Sequence, residues 1–311
     1  MKKRTVTVRN QWVSAGNTFP AKPNSTRYSI HFSSAQEFVD YCERTDPWPN
    51  GGKSSRKSRE SGDWCDSRNW GEAIEYARNG NRKLSDKIIE QCKKMKVDLI
   101  ADSTTMVDEL LTAGALPDVP VYLAGEECHM RNFDSSMDKD IVLIAFPYGY
   151  IAEVKSETAY NYGAAMVNII DEIESTGAAT VELTMYFANK MDKGCTTLLT
   201  FPLKKAGSEL NIDEIGSFIA SSGNFRRLGF RSIESVPNQK ASEATTGWGY
   251  GRTASKSSID FDDFFDEYDV VIPEINKNKG PEEIKSSLYR SMMKSATIKK
   301  IVESNADAFE G

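Results

Sequence analysis

The chain has 311 residues, 39% hydrophobic and 27% charged, with a net charge of −6. That composition excludes a fibrous or wholly disordered polymer and suits one large or two smaller globular domains, at roughly 100–200 residues each. No apolar run approaches the roughly 18 residues of a membrane span, and the basic start at Met1, Lys2, Lys3 and Arg4 lacks a signal peptide's apolar stretch. The expected location is therefore a cytoplasm.

In chain order, alternating Val6 and Val8 followed by Pro, Asn and Ser make residues 1–30 an edge strand or an N-terminal arm. A main α+β domain is expected over 31–236. It opens on a short helix signalled by Ser33 and Ser34, with Phe38, Val39 and Cys42 on one face. Residues 45–63, rich in Gly, Pro and Ser, read as a loop with little apolar burial to offset its ordering. Helices are expected over 70–79, closed by Gly80, over 84–96, and over 108–113. Residues 119–124 and 141–146 are short β-rich runs. The clearest helix is 157–176, where Tyr162, Met166, Ile169, Ile170 and Ile173 recur at helical spacing before Gly177. Residues 180–188 and 195–203 read as an antiparallel hairpin, 212–220 as a helix and 225–234 as a strand. This order predicts a mixed or antiparallel sheet with helices packed on it. A flexible loop over 237–258 then precedes an acidic, aromatic segment and terminal helices over 259–311, with Pro281 starting one of them.

Five scattered cysteines without a CxxC pair argue against a disulfide framework or a cysteine zinc site, and read as reduced thiols. Two histidines, His31 and His129, exclude multi-histidine metal sites and HExxH chemistry. No GxGxxG or GxxxxGK[ST] loop occurs, which argues against a nucleotide-driven motor, and no cofactor is expected.

The charge is uneven. Residues 1–100 carry 19 Lys and Arg against 12 Asp and Glu, a net +7; the rest carry 20 against 33, a net −13. A basic N-terminal third can form a local polyanion-binding face. Lys53, Arg56, Lys57 and Arg59 lie among Gly and Ser, flanked by Trp48, Trp64 and Trp70. Single-strand binders combine cations for the backbone with aromatic platforms for bases. The structural alternative is a solvated loop with Trp64 and Trp70 in the core. In a strand over 225–231, Arg226 would face opposite to Arg227 and Arg231, forming either a phosphate clamp or a structural ion pair with the acidic half. Residues 247–252, alternating Gly with Trp248 and Tyr250 before Arg252, read as a stacking segment or a connector.

Asp260, Phe261, Asp262, Asp263, Phe264 and Phe265 open a stretch resembling the acidic tips by which single-strand binders recruit partners. Its bland readings are a hydrated amphipathic turn and a self-docked segment. Glu126, Glu127 and His129 are the best local candidates for metal-assisted or proton-transfer chemistry.

Several ordered segments resemble a family of tailed-phage proteins. They include Phe32-Ser33-Ser34-Ala35-Gln36-Glu37-Phe38, Trp70-Gly71-Glu72-Ala73, Val119-Pro120-Val121-Tyr122-Leu123-Ala124-Gly125-Glu126-Glu127-Cys128-His129-Met130, and Gly163-Ala164-Ala165 leading into Ile170-Asp171-Glu172-Ile173-Glu174. Val181-Glu182-Leu183 and Phe225-Arg226-Arg227-Leu228-Gly229-Phe230 complete the set, which spans roughly residues 30–235. The family has Pro where this chain has Glu127, and His-Pro near Ser222 and Gly223. The resemblance carries over no catalytic residue. It implies a phage protein of the host cytoplasm. One activity such phages need is a single-stranded-DNA-binding activator that recruits phage RNA polymerase.

The sequence therefore predicts a binding protein rather than an enzyme: single-stranded DNA held by Lys53, Arg56, Lys57, Arg59, Trp64, Trp70, Arg226, Arg227 and Arg231, and a transcription or replication partner met by residues 260–265. A DNA-mimicking inhibitor of host machinery and a metal-dependent nuclease are the alternatives.

Overall fold

The β-rich runs of the sequence assemble into a six-stranded mixed sheet in a computed structural model that describes residues 9–15, 26–45, 66–95, 110–111, 116–117, 130–131, 139–151, 153–190, 195–236 and 262–310. Its strands are β1 (Arg9–Ala15), β2 (Thr26–His31), β6 (Asp140–Pro147), β7 (Ala179–Lys190), β8 (Cys195–Lys204) and β9 (Val270–Val271), in the order β1-β2-β8-β7-β6-β9. The β7–β8 and β1–β2 pairs are antiparallel, while β2–β8, β6–β7 and β6–β9 are parallel. A separate small sheet pairs β3 (Leu110–Leu111) and β4 (Leu116–Pro117) on either side of β5 (Met130–Arg131). The fold is α+β.

Local capping fixes the first three helices. In α1 (Ala35–Arg44) the Ser34 side chain accepts from the Glu37 amide, while the Glu37 carboxylate accepts from the Ser33 amide at 2.6 Å, so one free N–H of the first turn is satisfied and the entering chain is tied back to it. Asn69 caps α2 (Trp70–Asn79) by accepting from the Glu72 amide, and Gly80 ends it at φ 85°, a left-handed conformation that favours glycine. Asn81 then caps α3 (Arg82–Lys94).

The long helix α4 (Ser156–Ser175) crosses from β6 to the parallel strand β7. It buries Tyr162, Met166, Ile169, Ile170 and Ile173 against the sheet core, and Gly177 follows at φ 71°. Gly163 allows a close approach to α3, because a Cβ there would sit 3.0 Å from Ile88 Cδ1. At its far end Glu174 Oε1 accepts from the Val181 amide, Thr180 Oγ1 and Lys204 Nζ, pinning the helix to β7 and β8.

Three expectations are corrected. Residues 225–234 form no strand. The chain runs through α5 (Ile212–Ile215), a π turn (Gly216–Ala220), α6 (Ser222–Asn224), a second π turn (Phe225–Gly229) and α7 (Phe230–Glu234). Every residue from Arg227 to Ser235 is buried, so the segment is enclosed on all sides rather than presenting one covered and one open strand face. Leu110 and Leu111, expected in a helix, instead pair with Arg131 and Met130; strand pairing overrides their helix propensity. β2 lies where punctuation suggested loop, and its Tyr28 and Ile30 point into the core.

The main core lies on one face of the sheet, under α1 to α4, the π segment, α9 (Pro281–Met292) and α10 (Ala296–Glu310). On the other face, α8 (Asp262–Phe265) lays Phe265 and Tyr268 over Ala145, Tyr186, Ala188 and Leu198. The side-chain carboxylate of Asp269 accepts from the Leu143 amide at 2.9 Å and from Thr297 Oγ1 at 2.8 Å, which fixes the segment's exit.

Candidate functional site

Polar residues converge where the chain leaves β6. Tyr148, Gly149 and Tyr150 follow that strand directly, at the carboxyl edge it shares with β9, and Tyr150 bridges to Ile275. The carboxyl edge of parallel strands is the ligand-binding edge of open α/β sheets. Gly149 adopts φ 105° against the Phe225 ring, where a Cβ would lie 2.4 Å from ring carbons. The second π turn is thereby seated on the sheet edge. Such turns are rare and recur at functional positions.

Asp66 and Ser67 lock the start of α2 into this segment. Asp66 Oδ1 accepts from the Gly223 amide at 2.6 Å and from Ser222 Oγ at 3.1 Å, and Asp66 Oδ2 accepts from Asn81 Nδ2 at 3.4 Å. Ser67 accepts from Arg227, through Oγ to Nε at 3.0 Å and through its carbonyl to Nη2 at 3.1 Å. Tyr148 Oη donates to Asn224 Oδ1 at 2.5 Å, inside the core. Burial pushes the phenols of Tyr148 and Tyr150 far above their ordinary range, so both are neutral hydrogen-bonding groups at physiological pH. Burial likewise pushes the Cys42 thiol well up, although the Arg231 charge pulls against it. Its Sγ donates to the Leu228 carbonyl at 3.5 Å, a thiol held inert.

Arg227 and Arg231 are 1% and 0% exposed, so neither stands on a sheet face where a polymer's phosphates could reach it. The clamp expected from a strand is corrected accordingly. With the segment helical, Arg227 and Arg231 lie one turn apart, directed inward. Arg231 lies 5.9 Å from the Trp70 ring, which is itself half-buried against the core. Arg226 alone of the three is partly exposed, 5.9 Å from the Phe230 ring. Phe265 is buried beneath its own segment and Phe264 half-buried beside Tyr268, with ring centroids 4.9 Å apart, so the Phe265 ring is not a free contact for a partner. The backbones of Asp262 and Asp263 begin α8. Lys53, Arg56, Lys57, Arg59, Trp64, Asp260 and Phe261 lie outside the described residues, as do Glu126, Glu127, His129 and residues 247–252.

The described N-terminal helices carry cations of two kinds. Arg78 is engaged, donating to Asp40 at 2.7 Å and to Glu43 at 2.6 Å. On α3, Lys83, Lys87 and Lys93 are exposed and form no ion pair among the described residues. Lys87 Nζ donates to Tyr160 Oη at 3.3 Å and stands 4.8 Å over its ring. Asp66 meets the α3 cap Asn81, and just beyond it Lys83 faces solvent while Arg82 pairs with Asp86 at 3.2 Å. Sequence reading missed Asp66, Ser67 and Asn224. The available signals were the small polar run Ser221, Ser222, Gly223 and Asn224 inside apolar sequence, and the four-residue spacing of the two arginines.

No described helix is long and apolar enough to cross a membrane. A family model for a domain of unknown function, DUF7192, matches residues 5–300, and the chain belongs to that family. No curated protein and no solved structure matches it.

Proposed function

We propose that this member of the DUF7192 family binds single-stranded DNA through the cations of its N-terminal third. Lys53, Arg56, Lys57 and Arg59 would neutralise phosphates, and the outward lysines of α3 would extend the path. One observation carries the reading: residues 1–100 are net +7 in a chain of net −6, and α3 within them exposes Lys83, Lys87 and Lys93 without an ion pair among the described residues. Clustered cations on a chain of net negative charge favour a local polyanion contact over general coating. The arrangement also gives Arg227 and Arg231 a different role from the expected one, since they hold Ser67 and the Trp70 ring. In the same reading the acids among residues 260–267 would recruit a transcription or replication partner, such as a phage RNA polymerase, with Phe265 serving as the segment's internal anchor. The host cytoplasm belongs to the same reading.

The test is fluorescence anisotropy of a labelled oligodeoxythymidylate with the full chain at several salt concentrations. Replacing Lys53, Arg56, Lys57 and Arg59 by Gln should weaken binding at least about tenfold and flatten the log–log salt slope by about 3, at roughly 0.7 per phosphate contact. Unchanged affinity and slope would sink the assignment.

A further inference from the structure

Residues 277–300 reverse the charge of the half-chain they belong to. Seven of these 24 residues are Lys or Arg and two are acidic, within a region of net −13. They form the loop before α9, α9 itself, and the first turns of α10. The helix α9 buries Ile284, Leu288 and Met292 and leaves Tyr289 and Arg290 exposed. Tyr289 is 39% exposed and shares that state only with Ile141 among the large hydrophobic side chains described. Arg290, Lys294 and Lys299 are exposed and form no ion pair among the described residues. Arg290 Nε donates to the Ser286 carbonyl at 3.1 Å, which holds the guanidinium beside the helix.

Helix energetics account for part of this charge. Arg290 sits in the last turn of α9, where a cation favours the helix dipole. Lys299 and Lys300 lie at the start of α10, where cations oppose it, and no acidic residue occupies that first turn. Lys300 is offset by Asp140 at 3.1 Å; Lys299 has no such partner among the described residues. A bound anion would supply the missing charge.

We infer that the corner between α9 and α10 is a second contact surface for single-stranded DNA. Arg290, Lys294 and Lys299 take phosphates, and Tyr289 stacks on an unpaired base. The inference rests on the reading above for the identity of the ligand, but uses none of the same residues. The exposed ring next to Arg290 in sequence selects an unpaired strand over other polyanions: a base offers it a face, whereas a sulfated sugar or an acidic peptide offers only charge.

The test uses the full chain with the same labelled oligodeoxythymidylate, and heparin as a polyanion without bases. Exposed substitutions are chosen so that the fold survives, checked by circular dichroism. Tyr289→Ala should weaken oligonucleotide binding about fivefold or more and leave heparin binding unchanged. Replacing Arg290, Lys294 and Lys299 by Gln should flatten the salt slope by about 2. If the 53–59 variant loses binding while both α9–α10 variants match wild type, the corner is no contact and the first reading stands. If the α9–α10 variants weaken binding and the 53–59 variant does not, the corner is the contact and the first assignment fails. Equal loss for heparin and oligonucleotide in the charge variant, with Tyr289→Ala silent, would overturn the single-strand specificity. Absence of oligonucleotide binding by the wild type would overturn both.

Discussion

The Gly223 amide donates a 2.6 Å hydrogen bond to Asp66 Oδ1, joining the segment that leads into α2 to the short helix between two π turns. The approach needs glycine for space rather than for dihedral freedom. A Cβ on Gly223 would lie 2.4 Å from Ser67 Oγ and 2.8 Å from the Ser67 backbone nitrogen.

Gly223→Ala should therefore destabilise the chain by about 1–3 kcal/mol, because a rigid backbone atom must move. Asp66→Ala breaks the same junction from the other side. Their combined effect in urea melts should fall short of the sum, since both act on one contact. Strict additivity would show that the junction is not a unit.

The Glu174–Lys204 pair predicts a different pattern. Lys204 is 1% exposed and its Nζ lies 2.6 Å from Glu174 Oε1 and 3.1 Å from the Val181 carbonyl. Glu174→Gln leaves that ammonium buried without a counter-charge and should cost about 3 kcal/mol, the lower end for a buried pair because Glu174 keeps some solvent. Adding Lys204→Met should restore most of the loss, as apolar packing replaces the charge. A double variant no more stable than Glu174→Gln would refute the pairing as the source.

Asp40 supplies a pH signature. Burial raises its carboxyl, but the Gln36 amide and the Arg78 and Arg44 guanidinium groups outweigh that and hold it below the ordinary value. A folded pKa below the unfolded one gives stability that is present above the unfolded value, about 3.9, and lost as pH falls through the folded value. Wild type should lose more stability than Asp40→Asn on acidification through that window, measured by urea titration at each pH. Parallel curves would remove Asp40 from the acid response.

Much of the helical layer is legible in the sequence because its signals are local. Asn69 with Gly80 bounds α2, Pro281 opens α9, and the recurrence of Tyr162, Met166, Ile169 and Ile173 marks α4, since caps and one-sided burial act within a few turns. The β7–β8 hairpin is equally local. By contrast, residues 225–234 contain β-formers that a strand also accepts; in the structure they are helical, with Phe225 against Gly149 and Arg227 bonded to Ser67.

The primary sequence by itself determined the α+β class, the helix boundaries at caps and glycines, and the concentration of positive charge in the first hundred residues. These depend on neighbours along the chain and on composition. Tertiary structure alone decided that Arg227 and Arg231 turn inward, that Phe265 anchors its own acidic segment, and that Tyr289 stands exposed. Each of those outcomes depends on which distant surface meets the side chain, and burial, unlike helix capping, is a property of pairs of elements far apart in sequence.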